Sequence, residues 1–86
     1  MTLKKLLINL LEESQLLGLP QNDLDRAYEF LSHREYGLCF DIMVIQMHEN
    51  DIRIDSNYYN LIKSIAKEMD LSESQYSFMS DLISRT

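Results

Sequence analysis

The sequence predicts an all-α domain: a compact bundle of four main helices plus a short C-terminal fifth helix, with neighbouring helices antiparallel. Three observations predict it. Apolar residues recur at three- and four-residue spacing in successive segments, the period of one helix face. Capping and stop residues fall between those segments, and the loops they leave are short, which favours antiparallel neighbours. The composition is 45% hydrophobic and 26% charged, with two glycines and one proline, so it is globular and helix-leaning rather than disordered. The 86 residues make a single domain, 1–86, marginal in size but able to fold alone.

Thr2 can cap a first helix from Leu3 to Leu17, whose stripe is Leu3, Leu6, Leu7, Leu10, Leu11 and Leu17. Gly18 stops it and Pro20 forbids its continuation. Asn22 can cap a second helix, Asp23 to His33, with Asp23 and Asp25 in the first turn, where the helix dipole favours negative charge. Leu24, Ala27, Tyr28 and Leu31 form its inward face. The third helix, Glu35 to Glu49, is the centre of the design. Tyr36, Phe40, Met43, Val44 and Met47 make one stripe, and Leu38, Ile42 and Ile45 widen it until nearly every side is apolar. Such a helix is expected to be surrounded by others. It is too short to span a bilayer and carries Asp41 in its middle.

Residues 50–54 alternate polar and apolar but are too few for a strand without a partner, so Ile52 and Ile54 read as an extended linker that plugs the bottom of the core. Asp55 or Ser56 caps a fourth helix ending near Met69, with Tyr58, Leu61, Ile62, Ile65, Ala66 and Met69 inward. Ser72 to Gln75 has the form of a capping box and opens the fifth helix, which runs through Ile83 with Tyr76, Met79, Leu82 and Ile83 apolar.

The charge balance and cysteine count exclude several functions. The formal net charge is −6, with fourteen acids against eight Lys and Arg. Nucleic-acid binding needs clustered cations, so direct DNA or RNA binding is not expected. An acidic domain instead attracts basic proteins, although mild acidity also serves solubility alone. Cys39 is the single cysteine, so no internal disulfide can form, and its apolar setting reads as core. Lys4 and Lys5 ahead of leucines resemble the start of a signal peptide, but Asn9, Glu12 and Glu13 cut the run and no small-residue cleavage site follows. We expect a cytoplasmic protein. The same lysines are too few for a membrane-surface helix.

No catalytic, metal or cofactor site is expected. Cys39 and His48 share a helix but are separated by about 13 Å of rise, so they cannot pair within one chain. His33 lies in another element. Glu12 with Glu13, and Asp23 with Asp25, read as a solvated helix surface and a helix start. His48, Glu49 and Asp51 fit neither a zinc motif nor a calcium loop. No glycine-rich phosphate loop is present, and no small-molecule substrate is implied. What remains is surface. Asp41 must reach solvent or find a partner, because an isolated buried carboxylate is unfavourable. Glu49, Asp51 and Asp55 follow, opposed by Arg53 alone. Tyr58 and Tyr59 point about 100° apart on a helix, so one can pack while the other anchors a partner, and both packing on the bundle is equally consistent. The candidate partner-binding set is therefore Asp41, Glu49, Asp51, Asp55, Tyr58 and Tyr59.

The order of motifs then becomes informative. Glu35-Tyr-Gly-Leu-Cys-Phe-Asp41 is followed by Glu49-x-Asp-Ile-x-Ile54, Tyr59-x-Leu-Ile62 and Met69-x-Leu71. This order and spacing, over about residues 24 to 71, resembles the MafI-type immunity proteins, which also occur beside contact-dependent-inhibition toxins. Two positions depart from the pattern. Arg53 stands where many members have proline, which implies a looser linker. Ile45 stands where a polar residue is usual, which implies altered packing or an exposed apolar contact. The resemblance implies a bacterial cytosolic antidote that binds the C-terminal domain of its cognate toxin one to one. That domain is commonly a nuclease, including tRNA-cleaving ribonucleases, and its active site or substrate surface would be occluded. A carboxylate-rich face suits the basic cleft of a nuclease. The alternative is a small acidic helical adaptor or regulatory module for a different basic protein.

Overall fold

The computed structural model describes residues 2–83 of the chain. Four α-helices, α1 (Leu3–Leu17), α2 (Gln21–Ser32), α3 (Tyr36–Glu49) and α4 (Ser56–Glu68), precede two 3-10 segments, Glu73–Gln75 and Ser77–Leu82. The domain is all-α, and among the described residues the one β contact is an isolated parallel bridge between Ile54 and Ile83.

α1 starts where Thr2 accepts a hydrogen bond from the Lys5 amide at 3.2 Å, and α4 starts where Asp55 accepts from the Tyr58 amide at 2.8 Å. α2 begins two residues earlier than predicted. Pro20 precedes its first turn, and the Pro20 carbonyl accepts from the Asp23 and Leu24 amides at 3.0 and 3.1 Å. A proline φ of −56° is already helical and its missing N–H leaves nothing unpaired, so Asn22 falls inside the helix instead of capping it.

All four helices end alike. Each closes on a left-handed residue: Gly18 (φ 108°), itself the cap of α1, and Arg34 (60°), Asp51 (50°) and Asp70 (54°), which follow the caps of α2, α3 and α4. The amide after each of these bonds back to a carbonyl of the last turn, as Leu19 does to Ser14 at 3.0 Å and Ile52 does to Met47 at 3.0 Å. This arrangement satisfies helix-end carbonyls that would otherwise be orphaned. Only Gly18 adopts it without a steric penalty.

The core gathers around α3, whose Cys39, Phe40, Ile42, Met43, Val44 and Met47 are buried. α3 packs against α2, α1 and the second 3-10 segment, while α1 also packs against α4. One side of α3 stays open: Leu38 and Ile45 are 49% and 46% exposed, so the helix is not surrounded as its pattern predicts. Tyr28 is also misplaced, predicted inward and 65% exposed, because Leu24, Ala27 and Leu31 already fill the α2 seam.

The fifth helix is the largest departure. Gln75 does reach back to the Ser72 amide at 3.2 Å. Beyond it the chain makes i to i+3 bonds, Tyr76 to Glu73 and Met79 to Tyr76, with Tyr76 at φ −143° between the two segments. Three residues per turn places Tyr76, Met79 and Leu82 on one line, and this lets Met79 and Leu82 bury fully. The linker meets this element. Ile54 is buried and its amide donates to the Leu82 carbonyl at 2.9 Å, and Arg53 donates to the Asp81 carbonyl at 3.0 Å. Arg53, expected to leave the linker looser, thus bonds it to the second 3-10 segment.

Candidate functional site

Two grooves hold the charged residues of interest. The first is a cleft of about 450 Å³ between α1 and α4, lined by Asn9, Glu12 and Glu13 on one side and Asp55, Asn57, Tyr58 and Leu61 on the other. A hydrogen bond in the core holds the two helices in register. Ser14 on α1 is fully buried, and its hydroxyl lies 2.7 Å from the Tyr58 hydroxyl. Ser14 also approaches the Met43 sulfur at 3.9 Å, so the pair ties α1, α3 and α4 together. Tyr58 is 2% exposed. Burial raises its phenol pKa, the nearby Glu13 charge raises it further, and the bond to Ser14 partly offsets both.

Tyr58 therefore leaves the candidate partner-binding set. Its amide is held by the Asp55 cap and its ring and hydroxyl are enclosed, so it sets the floor of the cleft and offers a partner no surface. Asp55 is exposed at the rim, with one oxygen occupied by the cap. Glu12 and Glu13 join it there although sequence spacing assigned them to plain solvated surface. Their only sequence signal is that they flank the inward register of α1 one step before Ser14.

Glu49, the last residue of α3, and Asp51, on the turn that leads to Asp55, are both exposed. Asp51 faces Arg53 at 3.6 Å, an open ion pair that leaves both side chains more than half exposed. Tyr59 is half-buried, its ring 6.1 Å from that of Tyr76, with the Lys63 ammonium 5.8 Å from its centroid. Burial raises its phenol pKa, and the neighbouring Tyr76 and Glu73 add to this. It can contact a partner only through its outer edge.

Asp41 lies apart from these, in a groove of about 330 Å³ between α2 and α3. Arg26 and Phe30 line it from α2, and Leu38, Ile42 and Ile45 flank Asp41 on α3. Partial burial raises the Asp41 carboxyl pKa. Among the described residues no cation lies within ion-pair distance of it.

Cys39 and His48 both make packing contacts. Cys39 is fully buried, and burial pushes its thiol up to about 12. His48 packs edge-on against Phe78 with ring centroids 5.1 Å apart. Among the described residues no group of three His, Cys, Asp or Glu side chains is placed to hold a metal ion, and no helix is long and apolar enough to cross a membrane.

Compared with known proteins, the chain matches no family model, no curated protein and no solved structure.

Proposed function

We propose that the chain is an immunity protein that binds the basic nuclease domain of a cognate toxin one to one and neutralises it without catalysis. One observation carries the reading. Glu12 and Glu13 from α1 and Asp55 from α4 line a single cleft in a chain of net charge −6. Glu49 and Asp51 extend the same sign along the turn that leads to Asp55.

The chemistry follows from charge. A nuclease holds polyphosphate in a cleft of Lys and Arg. A carboxylate-lined surface can dock on those cations and deny them to the substrate. Complementary fields also speed encounter, toward about 10⁸ M⁻¹s⁻¹ at low salt. Protection against an arriving toxin calls for roughly nanomolar affinity, about −12 kcal/mol. An interface of about 800 Å² per partner fits on one side of a domain this size. The resemblance of residues 24 to 71 to MafI-type immunity proteins supports the toxin as the partner.

The test is stoichiometric inhibition. The chain is expressed with the toxin domain encoded beside it, the complex is purified, and nuclease activity is titrated. Activity should disappear near one equivalent. Undiminished cleavage at excess protein would reject the reading, and capture of a basic protein that is not a toxin would select the adaptor alternative.

A further inference from the structure

The groove between α2 and α3 has an unusual make-up for a free surface. Leu38 and Ile45 stand about half exposed beside Phe30 and Ile42, so apolar area is left in water. Only two charged residues line it, Arg26 from α2 and Asp41 from α3. Among the described residues neither is within ion-pair distance of an opposite charge.

We propose that this groove is the interface of a symmetric homodimer, in which Arg26 of each chain meets Asp41 of the other. The balance of charge chooses the occupant. A basic partner would satisfy Asp41 and be repelled by Arg26, and an acidic partner would do the reverse. A second copy satisfies both at once. A two-fold axis through an isologous patch places residue i on residue j and residue j on residue i. An axis passing between Arg26 and Asp41 therefore forms two ion pairs and brings the aliphatic side chains of the two α3 helices together with Phe30. The cleft of Glu12, Glu13 and Asp55 is lined from other helices and stays open.

Each chain carries net charge −6, so long-range repulsion opposes association. Such repulsion is screened over about 8 Å at physiological salt, whereas a partly buried pair is screened much less. The dimer should therefore strengthen as salt rises from low values.

Sedimentation equilibrium of the full chain, from about 1 to 500 µM, tests the proposal. Wild type should show a monomer–dimer equilibrium. Ile45→Glu should be monomeric with an unchanged circular dichroism spectrum. Arg26→Glu and Asp41→Arg should each weaken dimerisation at least about tenfold, and an equal mixture of the two should associate, because both cross-chain pairs then join opposite charges. Wild type that stays monomeric throughout, a dimer indifferent to Ile45→Glu, or a mixture that stays monomeric would each overturn it. Arg26 and Ile45 are exposed, so their variants decide the matter even if Asp41→Arg fails to fold. A monomeric wild type whose basic partner is lost in Ile45→Glu would give the groove to that partner and also overturn the dimer.

Discussion

The hydroxyls of Ser14 and Tyr58, from residues 44 apart in the chain, lie 2.7 Å from each other in a core that is otherwise apolar. Among the described residues no buried side-chain polar atom is left without a partner. This pair links α1 to α4 beneath the acidic cleft, which Tyr58 also lines.

Breaking the pair should show strong coupling. Ser14→Ala leaves the buried Tyr58 hydroxyl unsatisfied, and Tyr58→Phe leaves Ser14 with only the Met43 sulfur. Each is expected to destabilise by about 1–3 kcal/mol. The double variant removes both polar groups and should lose clearly less than the sum. Urea unfolding of the four proteins gives the coupling energy, and additivity would show that the bond does not organise the core.

The left-handed helix ends offer a second test. Arg34 and Asp51 hold positive φ with a β-carbon, a conformation that disfavours ordinary residues by roughly 1–2 kcal/mol. Glycine relieves this and loses part of the gain to unfolded-chain entropy. Arg34→Gly and Asp51→Gly should each stabilise by about 0.5–1 kcal/mol, read as a higher melting temperature. Asp51→Gly should also weaken binding of the basic partner. Stability and affinity would then move in opposite directions, which a folding defect cannot produce.

Asp55 has two tasks that substitution can separate. Asp55→Asn keeps an oxygen for the Tyr58 amide and removes the charge, so the fold should hold while partner association slows. Asp55→Ala should lose about 1 kcal/mol of stability as well. Glu12→Lys, on the facing helix, should leave the melt within about 0.5 kcal/mol and reduce the association rate most strongly at low salt. Stopped-flow mixing across ionic strength measures this. A salt-independent rate would move the interface away from the cleft.

Asp41 predicts a pH dependence. Its folded pKa is raised by burial, so the native state binds the proton more tightly than the unfolded chain does. Stability should therefore fall as pH rises from the ordinary aspartate range through the raised value, and the loss is complete above it. Asp41→Asn cannot ionise. In dilute, monomeric protein it should be more stable than wild type at pH 7, and the difference should vanish near pH 3, where the Asp41 carboxyl is protonated in both states. A variant advantage that is constant across pH would point to packing instead of charge.

Much of the fold is legible in local pattern. Thr2, Gly18 and Asp55 mark helix ends by their own chemistry, and the bounds of α1 follow residue for residue. Errors arise where two local signals compete. Asn22 is a good cap, but Pro20 already supplies a helical φ and a free carbonyl. Tyr28 sits at a regular spacing, but Leu24, Ala27 and Leu31 complete the seam without it. The spacing of Tyr76, Met79 and Leu82 suits an α-helix loosely and a 3-10 segment better, and the demand to bury Met79 and Leu82 decides between them. The candidate site was less legible. Glu49, Asp51 and Asp55 stand together in sequence, but Glu12 and Glu13 join Asp55 only through the packing of α1 on α4.

Sequence by itself determined the all-α class, the order of the four helices, most of their ends and the acidic balance, because helix periodicity, capping and charge are read within a few residues. Tertiary structure alone decided which apolar residues stay uncovered, which carboxylates share a cleft and which tyrosine is structural. Those outcomes depend on pairs far apart in the chain, such as Ser14 with Tyr58 or Arg26 with Asp41, and no local period encodes how two such helices are set against each other.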